Sequence, residues 1–258
     1  MDKPYTITLT FGDCGENHKG MQMIGDKVKK GDGYNLKNLN NIRIRFQKLG
    51  CEVELYCLND KLDKNIDVDV ESAYVLVIRN AIQKVWNTYD ELIEEQKNLN
   101  YDKKVLMYGR VVNKNARYNL CFDDIAQEPD YENGKGRIIA FKSMPQLDKI
   151  RSSFSKLFGK KFKNMICESN YYYDITKTGI GYHGDTERRK VVAIRLGESL
   201  PIYYQWYYKN EKVGDKIEIN LNGGDIYVMS EKAVGTDWKE HNIYTLRHAT
   251  GCDKYTKN

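Results

Sequence analysis

Histidine is scarce: the 258 residues contain only His18, His183, His241 and His248. A site that needs two imidazoles therefore has few ways to be built. Six cysteines (Cys14, Cys51, Cys57, Cys121, Cys167 and Cys252) are scattered with no C-x-x-C pair, which argues against a zinc ribbon or a disulfide framework and fits a reducing interior. No run approaches the ~18 apolar residues of a membrane span, and no charged-then-apolar leader opens the chain. The expectation is a soluble intracellular protein, cytoplasmic or nuclear. The stretch Gly12 to Gly20 follows a strand-like run but lacks both G-x-G-x-x-G and a G-K-S or G-K-T ending. It reads as a loop rather than a phosphate cradle, with His18 a loop residue and not a metal ligand.

A hydrophobic content of 41% is enough for a core in one large domain, or in one domain with an extension. The charge balance, 41 Lys+Arg against 36 Asp+Glu, gives +5, which permits a nucleic-acid partner without demanding one. Tyr5 to Phe11 alternates as a strand. Asn35 opens a helix with Leu36, Leu39, Ile42 and Phe46 on one stripe and Gly50 past its end. Cys51 to Leu58 and Ala73 to Ile78 read as strands and Val85 to Leu99 as a helix, so residues 1–102 form an α/β extension with no assigned activity. Beyond it, Tyr108, Arg110, Arg117 and Tyr118 interleave aromatic rings with guanidinium groups. Such a mixture can stack on a base and pair with phosphate, although a solvated surface has the same composition. A helix carrying Ile150, Phe154, Leu157 and Phe158 follows. From Met165 to Gly251, short strands with glycine turns predict a β-sandwich or barrel.

Within that run lies Tyr182-His183-Gly184-Asp185-Thr186-Glu187. On a strand, residues two apart point to one face, so His183 and Asp185 can grip one ion from the same side. Two histidines and one carboxylate with open positions are the ligand set of non-haem Fe(II) oxygenases. The third ligand is then His241 or His248. His241 lies in a charged turn, Trp238 to Asn242, whereas His248 ends the apolar stretch Ile243 to Leu246 and Arg247. A strand fixes a ligand's direction better than a turn, which favours His248.

Taken together, Asn170-Tyr171-Tyr172, the His183 to Glu187 motif, Val191 to Gly197, Gly224-Asp225 leading to Met229, and a distal histidine resemble the AlkB-like branch of the 2-oxoglutarate and Fe(II)-dependent dioxygenases. The resemblance covers roughly Val105 to the C-terminus. It implies an α+β protein whose residues 103–258 form a double-stranded β-helix (jelly-roll) oxygenase domain behind the α/β extension. It further implies Fe(II) held by His183, Asp185 and His248, with 2-oxoglutarate as co-substrate bound by Asn170 and Tyr172, and O2 as oxidant. Glu187 would sit at the substrate's edge, and Tyr108, Arg110, Arg117 and Tyr118 would lie in the substrate-covering region. The implied activity is hydroxylation or oxidative demethylation of a nucleic-acid base, in DNA or RNA. The alternatives are the same chemistry on a protein side chain or a nucleotide precursor, and a non-catalytic binding module on the same barrel. Two departures matter: the family's base-sandwiching lid has no residue-for-residue counterpart, and its two arginines on the last strand are missing, with only Lys254 and Lys257 following His248. The distal carboxylate of 2-oxoglutarate needs a cation to offset its desolvation. Arg195, on the same face of its strand as Val191 and Ala193, is the first candidate for that partner, and Lys254 is the second.

Overall fold

The computed structural model describes residues 3–63, 66 and 69–257. Strand β1 (Thr6–Gly12) sends Ile7, Leu9 and Phe11 into one hydrophobic cluster, while Thr8 and Thr10 face a cavity on its other side. A small hairpin, β2 (Cys14–Glu16) with β3 (Met23–Gly25), follows. Helix α1 (Leu36–Lys48) starts at Asn35 as expected: the Asn35 side chain accepts the Asn38 N–H, and the Asn38 side chain accepts the Asn35 N–H. It buries Leu39, Ile42 and Phe46. Strands β4 (Val53–Cys57) and β5 (Tyr74–Ile78) then pair antiparallel.

The helix expected over Val85 to Leu99 is interrupted. A π turn at Ile82–Trp86 ends at Asn87, whose left-handed φ of 50° breaks the hydrogen-bond ladder, and α2 (Tyr89–Lys97) starts afresh. An exposed hairpin, β6 (Lys104–Met107) with β7 (Arg110–Asn113), leads to β8 (Tyr118–Asp123) and β9 (Ile138–Ala140). The helix expected through Phe154 is also divided, into α3 (Pro145–Ser152) and α4 (Phe154–Leu157). At the joint, the Ser153 hydroxyl donates to Ile150 O at 2.7 Å and accepts from Trp86 Nε1 at 3.1 Å.

The strand-rich remainder comprises β10 (Ile166–Tyr172), β11 (Gly179–His183), β12 (Val191–Gly197) and β13 (Ile202–Tyr208). After these come β14 (Glu211–Ile219), β15 (Ile226–Met229), α5 (Glu231–Val234), β16 (Thr245–Gly251) and α6 (Asp253–Thr256).

The molecule is mixed α/β and mostly sheet. Eight strands run in the order β4-β5-β15-β12-β1-β10-β8-β9, and four in the order β11-β16-β13-β14. All these pairs are antiparallel except β8 with β9. Alternation gives the large sheet two inner surfaces. One, with Ile7, Leu76, Phe122, Val192, Ile194 and Val228, packs against the apolar faces of α1 to α4. The other, with Val75, Val77, Val191, Ala193 and Met229, packs against Tyr204, Trp206, Ile219 and Leu246 of the small sheet. Strands from both sides of residue 102 share the large sheet: β1 lies between β12 and β10, and β5 pairs with β15. All six cysteines are free. Among the described residues no helix is long and apolar enough to cross a membrane.

Candidate metal centre

Between the two sheets, β11 and β16 place His183 and His248 directly opposite each other, with ring centroids 4.5 Å apart. A register shift between Ile180 and His183 turns His183 inward at the strand's end, as a bulge re-aims a side chain. Asp185 is already off the strand. Its N–H donates to Val234 O at 3.0 Å, and Gly184 makes that turn possible, since a Cβ there would stand 2.0 Å from Gly235 O and 2.7 Å from Trp238 Cδ1. The two residues converge as the spacing predicted, but through a strand end and a tight turn.

Asp185 Oδ1 lies 3.6 Å from His183 Nε2 and 3.7 Å from His248 Nε2, and one donor atom from each residue falls within 4.8 Å of the other two. The other nitrogen of His183, Nδ1, lies 2.8 Å from Gly181 O. A carbonyl can only accept, so Nδ1 is the donor there, and Nε2 is the nitrogen turned toward Asp185. Burial, His183 and Arg188 together push His248 well below the usual imidazole range. A neutral ring can donate its lone pair. Two imidazoles and a carboxylate at this spacing suit a divalent first-row ion.

The triad lines a cavity of about 440 Å³. Thr8, Tyr172, Arg195 and Tyr227 form one polar end. Arg195 is 1% exposed; its Nη1 donates to Thr8 Oγ1 at 2.5 Å, while Nε and Nη2 are buried with no partner among the described residues. Burial pushes the Tyr227 phenol up to about 12 and raises that of Tyr172, so both stay protonated donors. Next to the triad, Arg188 donates through Nη2 to Glu168 Oε2 at 2.6 Å and to Glu187 Oε1 at 2.8 Å. Burial alone would raise the Glu168 carboxyl, but Arg188 and then Arg117 outweigh it and hold it below the usual carboxylate range. For Glu187 burial wins, and its carboxyl is raised.

No family model matches the chain. It is 50% identical over 253 residues to an uncharacterized protein of Acanthamoeba polyphaga mimivirus, and the match covers 98% of each chain. The chain belongs to the family of that viral protein.

In this member of the mimivirus protein's family, the residues singled out from sequence fall into two groups. His183, Asp185 and His248 come together, and Asn170, Tyr172, Arg195, Arg117 and Glu187 line the same cavity. Asn170 is bridged on both sides, its Oδ1 accepting from Arg117 Nε at 2.5 Å and its Nδ2 donating to Glu168 Oε1 at 3.0 Å. Tyr108, Arg110, Tyr118 and Lys254 are not among the lining residues. Tyr108, 96% exposed, and Arg110 lie at the turn of the β6–β7 hairpin. Tyr118 stacks on Tyr173 at 4.3 Å, and Lys254 is exposed on α6 beside the Tyr255 ring. His241 is exposed, with Nδ1 2.9 Å from Asn210 Nδ2. His18 lines the cavity without joining the triad.

Sequence reasoning missed Arg188, Glu168, Thr8 and Tyr227. Glu168 had a signal, because Glu168, Asn170 and Tyr172 alternate along β10 toward the cavity. Arg188 had none, hidden in the charged run Glu187-Arg188-Arg189-Lys190 that reads as a solvated loop.

Proposed function

We propose that the protein is an AlkB-like Fe(II)- and 2-oxoglutarate-dependent dioxygenase, built on a double-stranded β-helix and acting on a nucleic-acid base. The observation that carries the reading is the joint placement, on one cavity, of the His183–Asp185–His248 triad and a buried arginine with two nitrogens, Nε and Nη2, unpartnered among the described residues. The triad has the donor set for Fe(II), with each His Nε2 turned toward Asp185 and Asp185 Oδ2 facing Arg188. When bound, the iron supplies oxidative decarboxylation of 2-oxoglutarate by O2, coupled to hydroxylation of a substrate C–H bond with release of succinate and CO2. The protein's own groups bind, orient and exclude. Arg195 pairs with the distal carboxylate, supported by Thr8 and the Tyr172 and Tyr227 hydroxyls. Ile180, Val191, Ile202 and Met229 keep the floor apolar and dry. Trp238 offers an aromatic wall, and Lys19, Arg117 and Lys239 offer positive charge toward an anionic strand.

The experiment is 2-oxoglutarate turnover to succinate with Fe(II), using methylated DNA, RNA and peptide panels, with formaldehyde as the second readout. Succinate and formaldehyde with an oligonucleotide substrate are expected. His183→Ala, Asp185→Ala and His248→Ala should each abolish both while leaving the protein folded, and His241→Ala should leave both intact. Turnover on peptides alone would reassign the substrate, and an unaltered protein that takes up no Fe(II) in an anaerobic titration would mark a binding module.

A further inference from the structure

Asp185 has two carboxylate oxygens, and an ion can be held by one of them or chelated by both. Oδ1 faces the two histidines. Oδ2 faces Arg188, with Nε at 3.7 Å. Arg188 has little freedom to leave that position. Its side chain is 3% exposed, Nε and Nη2 both donate to Glu187 Oε1, and Nη2 also donates to the buried Glu168. Glu168 is fixed in turn by Asn170 Nδ2, and the arginine stem lies against Gly12, where a Cβ would stand 3.2 Å from Arg188 Cδ. Nη1 is buried with no partner among the described residues. The Nε–H is taken by Glu187 Oε1, yet the same guanidinium edge stays within ion-pairing distance, 3.7 Å, of Asp185 Oδ2, so its fixed charge lies beside the second ligand oxygen as well.

We infer that Arg188 is a positioning residue that holds Asp185 as a one-oxygen ligand through Oδ1. This rests on the metal-centre reading given above. The physical reason is competition for Oδ2: a fixed guanidinium beside that oxygen disfavours rotation of the carboxylate into two-oxygen chelation. A coordination position on the ion then stays open for a small-molecule ligand.

The test uses Co(II) as the ion and azide as the ligand, read by electronic absorption and independent of turnover. Glu168→Gln/Glu187→Gln removes the charges that Arg188 neutralises and serves as the reference, in which Arg188 is then changed to Met or to Lys. The Met variant is expected to melt close to the reference and still take up Co(II), but with an altered absorption band and azide affinity weakened at least about 10-fold. The Lys variant, which keeps a cation, should recover part of that loss. An unchanged band and unchanged azide affinity in the Met variant, with Co(II) bound, would leave Arg188 a charge-neutralising residue only and overturn the inference. Should the Met variant fail to fold, the Lys variant decides: azide affinity weaker than in the reference supports the role, and affinity equal to it with an unchanged band overturns it. Absence of a Co(II) spectrum in the unaltered protein would remove the metal centre itself, an outcome distinct from either.

Discussion

Arg195 carries a full charge into the middle of a sheet, and among the described residues no carboxylate lies within ion-pairing distance of it. An unpaired buried charge costs several kcal/mol unless an anion arrives to share its field. Arg195→Met is therefore expected to raise the KM for 2-oxoglutarate at least ~10-fold, about 1.4 kcal/mol of lost binding, without lowering the melting temperature of the ligand-free protein. Added 2-oxoglutarate should stabilise the parent protein and not the variant. Lys254→Met, altering an exposed side chain, should leave KM unchanged; a large rise there with no change in Arg195→Met would hand the role to the lysine. A second buried cation sits outside the cavity. Lys114 donates to Asn17 Oδ1 at 2.8 Å and to the Asn119 side chain, and burial pulls it from 10.5 down to about 8. Because the folded pKa lies below the unfolded one, the unfolded chain binds more protons between about pH 8 and 10.5. Stability should rise with pH across that window, the cost of the buried charge being fully present below it. The full effect is on the order of 3 kcal/mol. Denaturant midpoints at pH 7.5 and 9.5 should show the rise in the parent protein and lose it in Lys114→Met.

Element by element, a period of two located part of the cavity wall, because the side of a strand that a residue faces is written in its neighbours. That is why Asn170 and Tyr172 stand together, and why Arg195 lies on the cavity side with Val191. The same period cannot show where a strand stops. β11 ends at His183, and Asp185 reaches the centre through the turn at Gly184. Composition alone also could not separate Arg117, whose Nε is tied to Asn170, from Arg110, which lies on an exposed hairpin. Nor could helical spacing foresee Asn87 in the left-handed region or the Ser153 joint. The Gly184 turn makes its own prediction. A methyl group there meets the Gly235 carbonyl, so Gly184→Ala must displace either α5 or Asp185. Mn(II) affinity measured by titration calorimetry should fall at least about 10-fold while the far-ultraviolet spectrum is kept. Unchanged affinity would show that the turn tolerates the shift.

At the scale of the whole molecule, the two hydrophobic clusters share β5, β12 and β15, whose alternate residues serve one and then the other. A fragment of residues 103–258 would lack β1, β4 and β5. Ile7, Leu9 and Phe11, all fully buried, account for about 5–9 kcal/mol at the usual 1.5–3 kcal/mol per large apolar side chain. That is comparable with the entire stability of a typical domain. The fragment should therefore show no cooperative thermal transition, and a sharp one would establish independent folding.

The threading of β1 between β10 and β12 also sets a schedule for the nascent chain. Thr8 leaves the ribosome early, yet its neighbours across the sheet are Asn170 and Arg195. At translation rates of about 5–20 residues per second, the strand waits roughly ten to forty seconds for both partners to be made. Until then the apolar Ile7, Leu9 and Phe11 lack both strands that flank β1 in the folded sheet, which makes them the kind of segment that holdase chaperones bind and that aggregation starts from.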